Sequence, residues 1–360
     1  MIAMRGMGYY SENTIGAKVV IDTAGDLAVD ALSRMNLFQS NAPFEIADFG
    51  AADGGTSLDL MRCLIKSIRA ANMTRPITIT YTDLPQNDFS ALFRRLHFHD
   101  DHVTPLGHEP NVYTFASGTT FYRQIFPENT LSLGFSATAM HWLSKQPSLI
   151  ADHVHATGAS FEERENFRRQ AATDWETILL TRARELVSGG VLVLANFCID
   201  EQGRYLGATG NGVNMFNWFT NHWRKLMNDG EITESEYHNA TFQQHYRTVN
   251  EFTAPFDDEN SSVRRAGLVL EHVSTRVTKC PYAAQFREHG DAHVFAKAFI
   301  PTLRSWSEST FFNALDLTRN LTERQTIIDR FYQALENDVI VAPKDYSMDY
   351  VHCFLSIIKQ

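Results

Sequence analysis

Residues 191–200, VLVLANFCID, form a nearly unbroken apolar run. A strand with one wet face alternates apolar and polar residues; a strand without a polar face must be covered on both sides. Such a segment belongs in the middle of a mostly parallel sheet, and the same chain must supply the covering helices. The flanking sequence does so. PFEIADFGAADGG carries a short strand over 44–49, stopped by Gly50, and TSLDLMRCLIKSIRAAN then places Leu58, Met61, Leu64, Ile65 and Ile68 on one helical face. ITITYTDLP (77–85), NVYTFASGT (111–119) and LSLGFSATA (131–139) read as further strands. Residues 18–38 and 174–190 read as helices, the second stopped by Gly189 and Gly190. Strands alternating with helices predict an α/β, doubly wound sheet. LVLEHVSTRV (268–277) and DYVHCFLSIIK (349–359) complete it, with helices between. Residues 205–255 break the alternation, being rich in Gly, Asn, Phe and Trp and then helical. They predict an inserted helical cap over the carboxyl ends of the strands. The expected division is a core of 1–200 and 256–360 and a cap of 201–255, joined by part of 285–345. There is no internal repeat and no low-complexity linker.

A net charge of −10 argues against nucleic acid or an anionic membrane as partner. An anionic substrate must then be drawn in by a local site. Twenty-five Phe, 12 Tyr and 5 Trp suffice for an aromatic-lined pocket. Cys63, Cys198, Cys280 and Cys353 are scattered and form no CxxC pair, as expected of reduced thiols in a cytoplasmic protein. No apolar run suits a signal peptide or reaches the ~20 residues of a membrane span.

In open α/β sheets the ligand sits at the carboxyl ends of the strands. Gly50, Gly54 and Gly55 follow the first strand and allow close backbone approach, although the spacing is G-x-x-x-G-G. Asp83 ends the second strand, where a carboxylate accepts from both hydroxyls of a ribose. A tight turn and a helix N-cap are the plain structural alternatives. Together the two features favour an adenosine-containing cofactor without separating NAD from S-adenosylmethionine. RRLHFHDDHVTPLGH (94–108) gathers His97, His99, Asp100, Asp101, His102 and His108, yet lacks the H-x-x-x-H helical spacing; it reads as a solvated loop with no metal. FEERENFRRQ (161–170) reads as a solvated helix face.

Several stretches resemble the plant-type SABATH methyltransferases along nearly the whole chain. They are MRGMGYYSENT (4–14), IADFGAADGGTSL (46–58), TDLPQNDFSALFRRL (82–96), GTTFYRQIFPENTL (118–131), ATAMHWLSKQP (137–147) and RARELVSGGVLVL (182–194). The Asp-Leu-Pro-x-Asn-Asp-Phe element is the most specific of them. The resemblance implies a Rossmann-like class I methyltransferase sheet, S-adenosylmethionine as cofactor, a small organic acid as substrate and a homodimer. It implies that Asp48, Gly50 and Thr56 lie near the methionine part of the cofactor, with Tyr10, Asn13 and Thr14 closing over it. Asp83 would hold the ribose beside Leu84, Thr120 and Phe121 would flank the adenine, and Ser136 would sit near the sulfonium. The acceptor pocket would draw on Arg5, Tyr10, Thr138, His141, Trp142, Met215, Phe216, Phe299 and Tyr350, with Trp142 and His141 in the catalytic positions.

The chain also departs from the family pattern. Ala17 stands where carboxyl methylators carry a glutamine, Ala137 and Thr138 replace a Ser-Tyr pair, and His141 is shared with the caffeine branch, which methylates ring nitrogens. The Trp142 indole N–H is a donor with no acceptor capacity and suits a carboxylate oxygen. A carboxylate needs no general base, because its ordinary pKa of ~4 leaves it ionised at pH 7. A ring nitrogen would instead call on His141 to orient it or take its proton. Carboxyl methylation is the favoured reading. The alternatives are N-methylation, an NAD-dependent oxidoreductase and a non-catalytic metabolite-binding relative.

Overall fold

The computed structural model describes residues 15–35, 42–98, 105–210 and 212–360. The sheet begins with β1 (Phe44–Phe49), β2 (Ile77–Thr82), β3 (Val112–Ser117), β4 (Leu131–Ala137) and β5 (Leu186–Ile199). These pair in parallel, with Asp48 beside Tyr81 and Phe135, and Ser136 beside Leu194. β7 (Leu268–Thr278) and β8 (Tyr350–Lys359) close the far side as antiparallel strands. The strand order is β3-β2-β1-β4-β5-β8-β7, and a short β6 (Arg247–Thr248) pairs with the end of β5. β4 is buried along six of its residues and β5 through Val191–Phe197 nearly throughout, the burial that their apolar runs require.

Helices cover both faces. α1 (Ile15–Ser33) packs on β4, β5 and β8, and α2 (Leu58–Ala71) packs on α1. α2 buries Leu58, Leu60, Met61, Leu64, Ile65 and Ile68, the face its periodicity predicts. α3 (Phe89–His97) starts at Asp88, whose side chain accepts from Ala91 N. The stretch expected to be a loop from residue 94 is therefore helical through His97, with a tight turn at Leu106–His108; His99, Asp100, Asp101 and His102 lie outside the described residues. Leu92 and Leu96 are buried there, Arg94 is exposed, and Arg95 is half-buried and pairs with Asp53 at 3.6 Å.

α4 (Phe161–Glu185) is longer than the expected 174–190 helix and absorbs the charged 161–170 stretch. Ser160 and Glu163 form a reciprocal capping box at its start, a device worth ~1 kcal/mol. It ends at Glu185, not at the glycines: Gly189 (φ 77°) and Gly190 belong to β5, where the pairing with β4 shifts register between Leu131 and Leu133. A Cβ at Gly190 would meet Val187 O at 2.9 Å and Leu131 O at 3.1 Å, so close strand approach, not helix termination, requires that glycine.

α5 (Met215–Asn228) and α6 (Glu234–Asn239) lie in the interrupted region, followed by α7 (Val249–Asp257) and the four-residue α8 (Ser262–Arg265). After β7 come α9 (Pro281–His289), α10 (Ala292–Ala314) and α11 (Leu321–Val341). α10 packs on α6 and α11 on α5, so late helices sit against the 215–239 region. Phe216, Phe219, Trp223, Phe311 and Phe331 share one core cluster with Phe135 and Val193 of the sheet. No helix among the described residues is long and apolar enough to cross a membrane.

Candidate active site

A cavity of about 290 Å³ opens over the carboxyl ends of β1, β2 and β4. One end is built by the turns after β1 and β2. Gly50 has φ 79°, and a Cβ there would lie 2.3 Å from the Ala139 side chain, so positive φ and close packing both select glycine. Ala52, also left-handed at φ 49°, donates its N–H to Asp83 Oδ2 at 2.7 Å. Leu84 N donates to Asp83 Oδ1 at 2.7 Å, and Asn87 Nδ2 reaches Ala52 O at 2.7 Å. Asp83 thus ties the two turns together and lines the cavity with Gly50, Thr56 and Leu84. Each of its oxygens receives one backbone donor, and a carboxylate oxygen has two lone pairs, so capacity for a ligand's hydroxyls remains. Burial raises the Asp83 pKa against those hydrogen bonds.

Asp48 lies beneath this end, 3% exposed, and accepts from Ser57 Oγ at 2.6 Å. Burial pushes its carboxyl up to about 7; the Ser57 bond opposes the rise and the Asp83 charge adds to it. Ser136 is fully buried and its Oγ donates to Phe49 O at 2.8 Å, joining β4 to β1 below the cavity.

The side wall carries Thr119, Thr120, Phe121, Tyr122 and Arg123. The end of α4 fixes this loop. Arg182 donates to Phe121 O at 2.7 Å and Arg123 O at 2.8 Å, while Glu185 accepts from Phe126 N at 3.2 Å and also from Ile125 N. Arg182 and Glu185 pair at 2.6 Å with both side chains fully buried. Removing either partner would strand a buried charge.

The other end is formed by Ala137, Thr138, Ala139, Trp142, Leu143, Ser144, Gln243 and Trp306. Trp142 O accepts from Tyr122 OH, and Trp142 N donates to Ala139 O at 3.2 Å. His141 points into the surrounding core, 4% exposed, with its ring 4.9 Å from Phe197, 5.7 Å from Trp142 and 5.8 Å from Tyr246. Its Nδ1 has no hydrogen-bond partner among the described residues. Burial lowers its pKa to about 3, with His352 and Arg247 adding to the fall.

The remaining sequence candidates fall into two groups. Met215, Phe216, Phe299 and Tyr350 are buried and are not in the lining of the cavity. Phe216 stacks on His155 at 4.0 Å, Met215 sits against Gly207, Phe299 is 5.3 Å from Phe295, and Tyr350 is 6.4 Å from Phe197. Arg5, Tyr10, Asn13 and Thr14 lie outside the described residues, as does the side chain of Ala17. Of the rest, Gly50, Thr56, Asp83, Leu84, Thr120, Phe121, Thr138 and Trp142 share the one cavity, with Asp48, Ser136 and His141 directly behind it. Trp306 was missed. It lies seven residues, two helical turns, beyond Phe299 on α10; Phe299 itself came from the family resemblance, and helical spacing from it is the signal that would have found Trp306. Among the described residues no group of three or more His, Cys, Asp or Glu is placed to hold a metal ion.

Comparison with known proteins gives the family and the fold. A family model described as SAM dependent carboxyl methyltransferase matches residues 1–355. Loganic acid O-methyltransferase of Catharanthus roseus is 29% identical over 263 residues, covering 67% of this chain and 67% of that protein. Farnesoic acid carboxyl-O-methyltransferase of Arabidopsis thaliana is 25% identical over 289 residues, covering 76% and 79%. A solved structure of loganic acid methyltransferase with SAH shares the fold at a TM-score of 0.76 over 99% of both chains, at 20% identity. Because the match runs through the sheet, the interrupted region and every wall of the cavity, the chain belongs to the S-adenosylmethionine-dependent carboxyl methyltransferases of the SABATH type.

Proposed function

We propose that this chain transfers the methyl group of S-adenosylmethionine to the carboxylate of a small, largely apolar organic acid, giving its methyl ester. The observation that carries the reading is a single cavity with a polar, turn-built end at Gly50 and Asp83 and an aromatic end at Trp142 and Trp306. The polar end suits the cofactor. Asp83 accepts from ribose hydroxyls, Leu84 and Phe121 offer apolar surface to the adenine, and the Gly50 turn admits the methionine portion over Asp48. When bound, the cofactor supplies a methyl group on a sulfonium. The acceptor oxygen forms the new C–O bond as the electrons of the breaking C–S bond go to sulfur, leaving S-adenosylhomocysteine. Trp142 would donate its indole N–H to the acceptor carboxylate and wall the pocket. Trp306 and the aromatic side wall would exclude water. Two opposite charges vanish in the reaction, so a dry pocket disfavours the separated reactants more than the transition state. The enzyme's remaining task is alignment.

His141 is not a general base in this reading. A pKa held near 3 by burial leaves it neutral and weakly basic at physiological pH, which supports a carboxylate acceptor over a ring nitrogen. The names of the relatives, loganic and farnesoic acid methyltransferases, support an organic acid. The helical region 201–255, with α10 and α11 packed on it, is proposed as the substrate cap. The net charge of −10 supports a protein without a nucleic-acid or anionic-membrane partner, the scattered cysteines support a cytoplasmic location, and the family resemblance implies a homodimer. Incubation with labelled S-adenosylmethionine and benzoic, cinnamic, decanoic and farnesoic acids tests the reading. A labelled product cleaved by mild base is expected. A base-stable product would overturn the carboxylate assignment, and no labelled product with any acid would leave a binding relative in its place.

A further inference from the structure

Trp142 stands at the end of β4 on a short segment whose backbone is held almost group by group. Leu143 N donates to Gln243 O at 2.9 Å and His245 N donates to His141 O at 3.0 Å. Gln243 Nε2 donates to Leu143 O at 2.7 Å, and Ser144 N donates to Asp174 Oδ2 at 2.8 Å. Two side chains complete the set. Tyr122 OH donates to Trp142 O, and Arg247 Nη1 donates to Met140 O at 2.8 Å.

Arg247 is the unusual member. It is 1% exposed, its hydrogen bonds go to backbone carbonyls, and the Asp174 and Glu251 carboxylates act on it as nearby charges without bonding to it. Its other bonds go to Ala171 O, from Nη2 at 2.7 Å and Nε at 3.3 Å. Its guanidinium lies 5.7 Å from the Trp175 ring and 5.8 Å from the Phe252 ring. A fully buried cation without a directly bonded anion is expensive, and an apolar residue of similar size would fill the space at lower cost. What an apolar residue would not do is bridge two carbonyls. The planar fork links the turn before Trp142 to the middle of α4, and β6 anchors the fork itself by pairing Arg247 with Cys198 of β5.

We propose that Arg247 and Tyr122 are positioning residues that fix the Trp142 indole at the depth and angle methyl transfer requires. The inference rests on the assignment of Trp142 under the proposed function. In-line transfer depends on alignment, and displacing a catalytic group by about 1 Å can cost on the order of 100-fold in rate. Neither residue need touch the reacting atoms to produce such a loss.

The test is a pair of double-mutant cycles. Arg247→Lys keeps the positive charge but loses the fork, and Tyr122→Phe removes only the hydroxyl that holds Trp142 O. Both are assayed alone and combined with Trp142→Phe, on whichever of cinnamic, decanoic or farnesoic acid the unmodified enzyme esterifies fastest. Each single variant is expected to lower kcat by about 10- to 100-fold, with the affinity for S-adenosylhomocysteine unchanged by calorimetry. In the Trp142→Phe background the added loss should shrink to less than about 3-fold, because residues acting through one group are not additive. Wild-type kcat for Arg247→Lys overturns the inference, since charge alone would then suffice. Losses that multiply in the double variants also overturn it, since the residues would act independently of Trp142. Wild-type kinetics for Trp142→Phe alone would instead remove the assignment on which the inference rests. Should Arg247→Lys fail to fold, the Tyr122→Phe cycle decides by the same criteria.

Discussion

The two ends of the cavity are built in different ways. The polar end comes from two neighbouring turns. Gly50, Ala52 and Asp83 lie within 34 residues of sequence; Ala52 N and Leu84 N donate to the Asp83 carboxylate, and Gly50 N donates to Thr82 O at 2.8 Å. The aromatic end is assembled from distant parts: Trp142 after β4, Gln243 before β6 and Trp306 on α10. A local device of this kind serves any substrate that shares the cofactor. A non-local one can change wall by wall, which is why substrate choice is proposed to reside there. The comparison predicts that substitutions at the first end act on cofactor affinity, and those at the second on turnover and acceptor range.

The largest expected effect is at the polar end. Asp83→Ala removes the acceptor for Ala52 N and Leu84 N together with the acceptor proposed for the ribose. A loss of about 1.5–3 kcal/mol or more is expected, enough to weaken S-adenosylhomocysteine by one to two orders of magnitude in a calorimeter. Unchanged affinity would break the comparison at its first term. Next comes Trp142→Phe, which keeps a ring in the wall and deletes its donor. A kcat about 10-fold or more below wild type is expected, with cofactor affinity unmoved. A weakened cofactor would mean that the two ends are not separable.

How much was legible follows from the same division. The turn after β1 announced itself because positive φ and close approach leave glycine as the residue that fits, and such constraints are written at the position where they act. Asp83 was visible because a strand end fixes where its carboxylate goes. The central position of β5 followed from its apolar run. The family resemblance named Phe216 and Phe299, but a likeness of sequence does not say which apolar residue meets a cavity and which meets its neighbours. Trp306 was lost for that reason. The misplaced boundary at Gly189 has a similar origin. A Gly-Gly pair is a common helix stop, and only the pairing of β4 with β5 shows that the chain had already left the helix. Arg247 gave no signal at all, since a buried arginine and a solvated one look alike in sequence.

A smaller effect separates the regions by their response to acid. An unfolded histidine binds a proton below about pH 6.5. Burial keeps His141 and His352, beside the aromatic end, from doing so until about 3. In that interval the unfolded chain holds more protons than the folded one, so the stability due to these groups is present above pH 6.5 and is lost on acidification, by about 1.4 kcal/mol per pH unit for each. Asp48, raised from 3.8 to about 7, works the other way: its contribution is fullest below about pH 4 and is lost as the pH rises through 7. His352→Phe should therefore flatten the fall in Tm between pH 6.5 and 4.5, while Asp48→Asn should steepen it. A Tm profile untouched by His352→Phe would mean that the ring is solvated in the folded protein.

The smallest effect expected is none, and it concerns turnover. At saturating cofactor and acid, kcat should stay flat from about pH 6.5 to 8.5, because the acceptor carboxylate is already ionised and His141 remains neutral throughout. Cofactor affinity should not be flat. Asp48 titrates near 7 in the free protein, and the positively charged methionine end of S-adenosylmethionine favours its ionised form, so binding should release a proton and strengthen by several-fold between pH 6 and 8. One enzyme would then show a pH-dependent KM for the cofactor and a pH-independent kcat, each belonging to a different end of the same cavity. Asp48→Asn should abolish the first and leave the second. A kcat limb near pH 6.5 that disappears in His141→Phe would reverse the assignment: the histidine would be taking a proton, and the acceptor would be a ring nitrogen.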